Sequence, residues 1–209
     1  MISKNLVQSR EYKIVAVCGP DGAGKTSLLS QVHTNIQEKG IYFVSKKKHF
    51  CSNIVNSYMS EFDSESSMVI RDQINAIGCA FDFIQYYDEE IKGLLHDNNI
   101  IVCDRYSYCY LAYSTQVGCT YSYVSSLFSI IPEADLIVYI ESDVETLENR
   151  LRQKNESNRN LERFIRGYEA LFKNLDIPIY RIKNDCFFDS TAQLEKLIHM
   201  VANNYDFVE

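Results

Sequence analysis

No stretch of this chain approaches the roughly 18 consecutive apolar residues that a membrane-crossing helix requires, so no spanning segment is expected. Residues Met1 to Leu6 also lack the apolar core of a signal peptide, and no secretory leader is expected. The seven cysteines (18, 51, 79, 103, 109, 119 and 186) contain no C-x-x-C pair, which argues against a zinc site. Their odd number argues against a disulfide framework, and they read as reduced thiols of a cytoplasmic protein. The four histidines, 33, 49, 96 and 199, show no ligand spacing. Positive charge is scarce too. Lys and Arg number 21 against 28 Asp and Glu, a formal net charge of −7. Such a balance offers no global attraction to nucleic acid or to an anionic membrane, and neither partner is expected. No repeat or low-complexity segment interrupts the chain.

What is present is a chain of 209 residues, 46% of them hydrophobic, long enough for one well-buried domain over 1–209. Its organising stretch is Gly19-Pro-Asp21-Gly22-Ala23-Gly24-Lys25-Thr26-Ser27, preceded by the apolar run Tyr12 to Cys18 and followed by a helical pattern. The spacing G-x-x-x-x-G-K-T between a strand and a helix is that of a phosphate-binding loop. Its glycines let backbone N–H groups surround phosphate oxygens, Lys25 adds charge, and the Thr26 hydroxyl suits Mg²⁺. The helix start contributes a partial positive charge at the same place. A nucleoside triphosphate is the expected ligand.

The first helix is expected to run to about Lys39, with Gly40 as its cap, before a short buried strand at Ile41 to Val44. Ser45-Lys46-Lys47-Lys48-His49 then stands at the carboxyl end of a strand, where open α/β sheets place ligands. From Met68 to Leu95 the apolar residues Ile70, Ile74, Ile77, Phe81, Ile84, Ile91 and Leu95 step by four and three, broken once at Asp88. This predicts one long amphipathic helix with most of that stripe in the core. Beside it runs a polar line, Arg71, Asn75, Gly78, Asp82 and Gln85. Gly78 costs about 1 kcal/mol against Ala in a helix and suggests a close approach there.

Further strands are expected at Ile100 to Cys103, Leu136 to Ile140 and Ile177 to Ile182, with helices at Tyr106 to Gln116, Tyr121 to Ile131, Val144 to Lys154, Leu161 to Leu175 and Thr191 to Asn203. Five strands alternating with helices predict an α/β fold, a parallel sheet flanked by helices in three layers. Asp104, at the end of the third strand, occupies the Walker B position and joins Thr26 as a Mg²⁺ candidate. No N-K-x-D element occurs, and outside the phosphate loop no D-x-x-G switch follows a strand, which argues against a GTPase. The residue after Asp104 is Arg105 rather than Glu, and an arginine there suits a second phosphate group better than an attacking water. The second strand ends in lysines without a carboxylate, so no base is offered for deprotonating a nucleoside hydroxyl. A phosphate is the favoured acceptor.

Taken together, Gly19-Pro-Asp21, Asp104-Arg105-Tyr106, Ala112-Tyr113, the bases Arg150, Lys154 and Arg159, and Arg166-Gly-Tyr168 resemble the thymidylate kinases and their nucleotide-kinase relatives. The resemblance implies a P-loop kinase with ATP as donor, Mg²⁺ as cofactor and a small nucleotide as acceptor. It implies that Lys25, Asp104 and Arg105 serve transfer and that Arg150, Lys154 and Arg159 belong to a lid near 150–160. It places Asp21, Lys46, Phe81, Gln85, Arg105, Tyr106 and Tyr113 around the acceptor, and a homodimer is compatible with it. Lys46 stands where the family has arginine, Gln85 where it reads the base with arginine, and Cys109, Ser114 and Asn158 where it has serine, glutamine and aspartate. A kinase acting on a nucleoside 5′-hydroxyl and a non-catalytic ATP-binding regulatory protein stay open as alternatives.

Overall fold

The computed structural model describes residues 12–45, 50–59, 65–96, 99–118, 121–156 and 161–203. Five strands form the sheet: β1 (Lys13–Cys18), β2 (Ile41–Ser45), β3 (Ile100–Asp104), β4 (Leu136–Glu141) and β5 (Ile179–Lys183). Their order is β2-β3-β1-β4-β5 and the pairings are parallel. The helices are α1 (Lys25–Asn35), α2 (Cys51–Met59), α3 (Glu65–Tyr86), α4 (Ser107–Gln116), α5 (Tyr121–Leu127), α6 (Val144–Gln153), α7 (Leu161–Phe172) and α8 (Phe187–Ala202). This is the expected α/β P-loop fold. The central strands β1, β3 and β4 are buried on both faces, so they read as unbroken apolar runs. One core layer gathers α1, α6 and α8 through Leu28, Val32, Leu147, Leu194 and Ile198. The other gathers α3, α4 and α7 through Phe83, Tyr106, Leu111 and Tyr168.

Several boundaries depart from expectation. The first helix stops at Asn35 rather than near Lys39, because Ile36 turns extended and buries its side chain while the Gln37 amide donates to the His33 carbonyl. The second strand is an edge strand and only half-buried, with Tyr42 exposed. Pro178 has no N–H for the ladder, so β5 starts at Ile179, and the Pro178 carbonyl accepts from the Ile137 N–H at 2.9 Å. The third strand extends one residue further, to include Asp104.

The long helix departs most. Ile70, Ile74, Ile77 and Phe81 are 38–52% exposed, so this part of the stripe faces outward, whereas Ile84, Ile91 and Leu95 pack on the core as expected. Ala76, Ala80, Phe83, Tyr86 and Tyr87 fill the core instead. At Tyr87–Ile91 the helix widens into a π turn, which resets the phase after the break at Asp88 and buries Ile91 completely.

α2 had no counterpart in the sequence reading. Its start is held from α3: Asp82 Oδ1 accepts from the Cys51 N–H at 2.6 Å, and Oδ2 accepts from the Ser52 N–H at 3.2 Å and the Ser52 hydroxyl at 2.5 Å. Gly78 lies opposite, where an added Cβ would stand 3.3 Å from the Ser52 backbone. What approaches Gly78 closely is therefore α2, and Asp82 caps a helix some thirty residues earlier in the chain.

Candidate active site

β1 ends at Cys18, and the chain turns at Gly19 with φ +145°, a conformation that side-chain-bearing residues rarely adopt. A Cβ there would also lie 2.3 Å from the Ile140 carbonyl oxygen. The loop then enters α1 through Gly24, so the free N–H groups of that helix start face the loop interior.

The loop is braced from three directions. The Tyr168 hydroxyl accepts from the Gly19 N–H and donates to the Gly19 carbonyl, both at 3.3 Å. Asn184 is buried, and its amide donates to the Ala23 carbonyl at 2.8 Å. Arg150 donates to the Gly22 carbonyl at 3.3 Å and to the Asn184 carbonyl at 2.9 Å. Tyr168 was legible only as part of a motif, and Asn184 was missed; its one signal is an amide just past the carboxyl end of β5. Arg150 was expected as a free lid base. Its guanidinium is instead occupied by backbone carbonyls, so it fastens α6 to the loop.

Lys25 is 5% exposed, and its ammonium donates to the Pro20 carbonyl at 2.7 Å. Burial, reinforced by repulsion from Arg105, lowers its pKa to about 8. The Thr26 hydroxyl donates to Asp104 Oδ2 at 2.7 Å. The other carboxylate oxygen, Oδ1, is buried and has no hydrogen-bond partner among the described residues. Leaving such an atom unpaired costs about 1–3 kcal/mol. Hard oxygen donors from a hydroxyl and an orphaned carboxylate are the donor set that Mg²⁺ takes, so the residues present fit that ion.

Arg105 follows in a left-handed conformation, φ +72°, which is strained for a residue with a side chain. Its N–H bonds the Val17 carbonyl at 3.0 Å, and its guanidinium pairs with the Asp21 carboxylate. Burial disfavours the Arg105 charge, but Asp21 together with Cys109, Tyr168 and Tyr110 outweighs it and holds the group protonated. A cation and the phosphate loop thus meet at one point. Ser27 is exposed at the start of α1.

A cavity of about 420 Å³ opens beside this centre, between α1, β2, β3 and the end of α3. Thr26 and Asp104 line one part of it, Gln85 and Tyr86 another. Gln85 donates from Nε2 to Glu89 at 2.7 Å. Tyr86 is 7% exposed, and its hydroxyl is the second buried polar atom without a partner among the described residues. Nothing in the sequence distinguished Tyr86 from its fourteen fellow tyrosines.

The remaining expected residues divide. Tyr113 is half-buried, its ring edge-on to Phe164 at 6.0 Å. Lys154 is exposed at the end of α6. Phe81 is 48% exposed and does not line the cavity, so it is not placed to stack on a base there. Tyr106 was expected at the acceptor, but it is fully buried, packs edge-on to Phe83 and donates its hydroxyl to the Pro132 carbonyl at 2.8 Å. Its apolar ring belongs to the core, and it anchors the strand end from beneath. Lys46 and Arg159 lie outside the described residues. Among the described residues, cysteines 18, 51, 79, 103, 109 and 186 form no disulfide.

A family model described as thymidylate kinase matches residues 17–185. The chain belongs to the thymidylate kinase family. Among curated relatives, the probable thymidylate kinase of Pyrobaculum aerophilum is 26% identical over 140 residues, 67% of this chain and 70% of its own length. The thymidylate kinase of Brachyspira hyodysenteriae is 28% identical over 150 residues, 68% of this chain and 69% of that one. The fold is shared with the thymidylate kinase structure from Ehrlichia chaffeensis, with a TM-score of 0.63 at 16% identity over 90% of this chain and 99% of that one. As a member of the thymidylate kinase family, the chain is an ATP-dependent nucleoside monophosphate kinase. No helix among the described residues is long and apolar enough to cross a membrane.

Proposed function

We propose that ATP is held by Gly19 to Ser27, that Mg²⁺ is held by Thr26 and Asp104, and that Arg105 receives the acceptor's phosphate. The observation that carries this reading is the convergence of Lys25, Thr26, Asp104 and Arg105 at the carboxyl ends of β1 and β3, which are adjacent and in register at Val17 and Asp104. When bound, Mg²⁺ supplies Lewis-acid charge that offsets the negative charge of the transferring phosphoryl group. The chain's own part is electrostatic and positional. Lys25 exchanges its bond to Pro20 for one to the donor phosphates, regaining a full charge partner in a dry site. The loop N–H groups fix the donor, and Arg105, already oriented by Asp21, presents a planar fork to the acceptor phosphate. An anionic phosphate oxygen is already nucleophilic, so no side chain is needed to remove a proton.

Lys46, Lys154 and Arg159 complete the charge around the transferring group in this reading, with Arg150 bracing the loop from the side of a lid near 150–160. The whole chain acts as one domain in the cytoplasm. A homodimer is supported by the outward row of Ile70, Ile74, Ile77 and Phe81 on α3, an apolar face longer than isolated surface residues explain. The relatives' names point to thymidylate as acceptor. An ADP-release assay across nucleoside monophosphates and nucleosides tests the assignment. Turnover is expected with monophosphates alone and is abolished by Lys25→Ala; turnover with nucleosides alone would overturn the phosphate-acceptor reading.

A further inference from the structure

The phosphate loop is held by its carbonyls. The Ala23 carbonyl accepts from Asn184 Nδ2 at 2.8 Å, the Gly22 carbonyl from Arg150 at 3.3 Å and the Pro20 carbonyl from Lys25 at 2.7 Å. A planar trans peptide points its C=O and the next residue's N–H in opposite directions, and no described peptide here is cis. Fixing the Ala23 carbonyl on Asn184 therefore turns the Gly24 N–H away from Asn184. Among the described residues that N–H donates to nothing. It joins the free N–H groups at the start of α1 as a donor for an anion.

Left alone, this peptide would not hold its direction. Ala23 lies between Gly22 and Gly24, whose φ values are +83° and +89°, and a chain flanked by glycines rotates with little steric resistance. A flip of the Ala23–Gly24 peptide would aim a carbonyl dipole at the donor phosphates instead of an N–H. Gly24 also has to lack a side chain, because a Cβ there would lie 2.5 Å from Asn184 Nδ2. The glycine that lets the brace approach is thus the one that makes the brace necessary.

Asn184 is fixed in its turn. It is 5% exposed, its N–H donates to the Glu141 carbonyl at 2.9 Å, and its carbonyl accepts from Arg150 at 2.9 Å. Its backbone is pinned to the end of β4 and to α6, and only the NH₂ end of its amide can satisfy the Ala23 carbonyl. The amide is neutral, so this contact orients the loop without adding charge to it.

We propose that Asn184 is a positioning residue of the phosphate loop: it orients the Ala23–Gly24 peptide so that the Gly24 N–H meets the donor's phosphates, and it does so without touching the nucleotide. The proposal rests on the reading of this loop as the ATP site and deepens it.

The test uses the full chain and two neutral variants. Asn184→Leu removes the donor and keeps about the same side-chain volume, whereas Asn184→Ala removes both. Calorimetry measures binding of Mg²⁺-ATP and of Mg²⁺-tripolyphosphate, which carries no sugar or base. ADP release gives the KM of the monophosphate that the parent chain turns over best. Both variants should weaken ATP and tripolyphosphate alike, about tenfold, in line with one oriented hydrogen bond to an anion, and leave the acceptor KM within about twofold. A loss in the alanine variant that leucine repairs marks a cavity effect and overturns the proposal. ATP weakened with tripolyphosphate unmoved places Asn184 at the nucleoside and overturns it too, as do parent affinities in both variants or a parent chain that binds no tripolyphosphate. If no monophosphate is turned over, the kinase reading fails, and the two binding measurements still decide the role of Asn184.

Discussion

The Lys25 ammonium is bonded to the Pro20 carbonyl at 2.7 Å, so the loop's own backbone holds the cation that we propose engages the donor phosphates. Burial, and then repulsion from Arg105, brings its pKa from 10.5 to about 8. The folded protein therefore binds fewer protons than the unfolded chain between those values. The stability penalty is full below pH 8 and fades as pH rises toward 10.5.

Phosphate binding reverses that shift, because it favours the charged amine. ATP binding should take up a proton above pH 8, and affinity should fall by up to about tenfold per pH unit there. Calorimetry at pH 8.5 in buffers of different ionisation heat would read the uptake, and Lys25→Met should abolish it. An affinity flat from pH 7 to 9.5 would contradict this account.

Asp104→Asn keeps the size of the side chain and can still accept from Thr26, but it removes the carboxylate charge. Turnover should fall by about 10²–10³-fold, and Mn²⁺ binding, followed by electron paramagnetic resonance, should weaken. Thermal stability should change little, because the contact to Thr26 is kept and one unpaired polar atom replaces another of the same size. A large drop in Tm would instead mark Asp104 as structural.

Asp82→Ala removes three acceptor contacts from the start of α2 and should cost about 1–3 kcal/mol. Gly78→Ala presses on the same place and should destabilise less, since the contact is tight rather than impossible. Hydrogen exchange should speed up within α2 in both variants, with KM for ATP unchanged. Uniform exchange across the protein would place the anchor elsewhere.

Ile74→Glu with Ile77→Glu introduces two charges into the outward row of α3. Sedimentation should show a dimer for the parent chain and a monomer for the double variant, with little change in Tm because both positions are about two-fifths exposed. A monomeric parent would leave that row without the proposed partner copy.

The sequence by itself determined the parts that rest on local patterns. The central strands are apolar on both faces, so their runs identify them without knowledge of neighbours, and the spacing Gly19 to Thr26 with Asp104-Arg105 encodes phosphate chemistry in the residues themselves. Tertiary structure decided which face of a helix is inside. On α3 alanines and aromatic residues face the core while Ile70, Ile74, Ile77 and Phe81 stay 38–52% exposed, because Phe83 fits against Tyr106 and Tyr110 of the neighbouring segment. Periodicity reports an amphipathic helix but not the direction of its burial. Nor could sequence pair Asp82 with the start of α2, turn Arg150 from a lid toward the loop carbonyls, or single out Tyr86. Each depends on contacts between distant segments, and only folding brings those segments within hydrogen-bond distance.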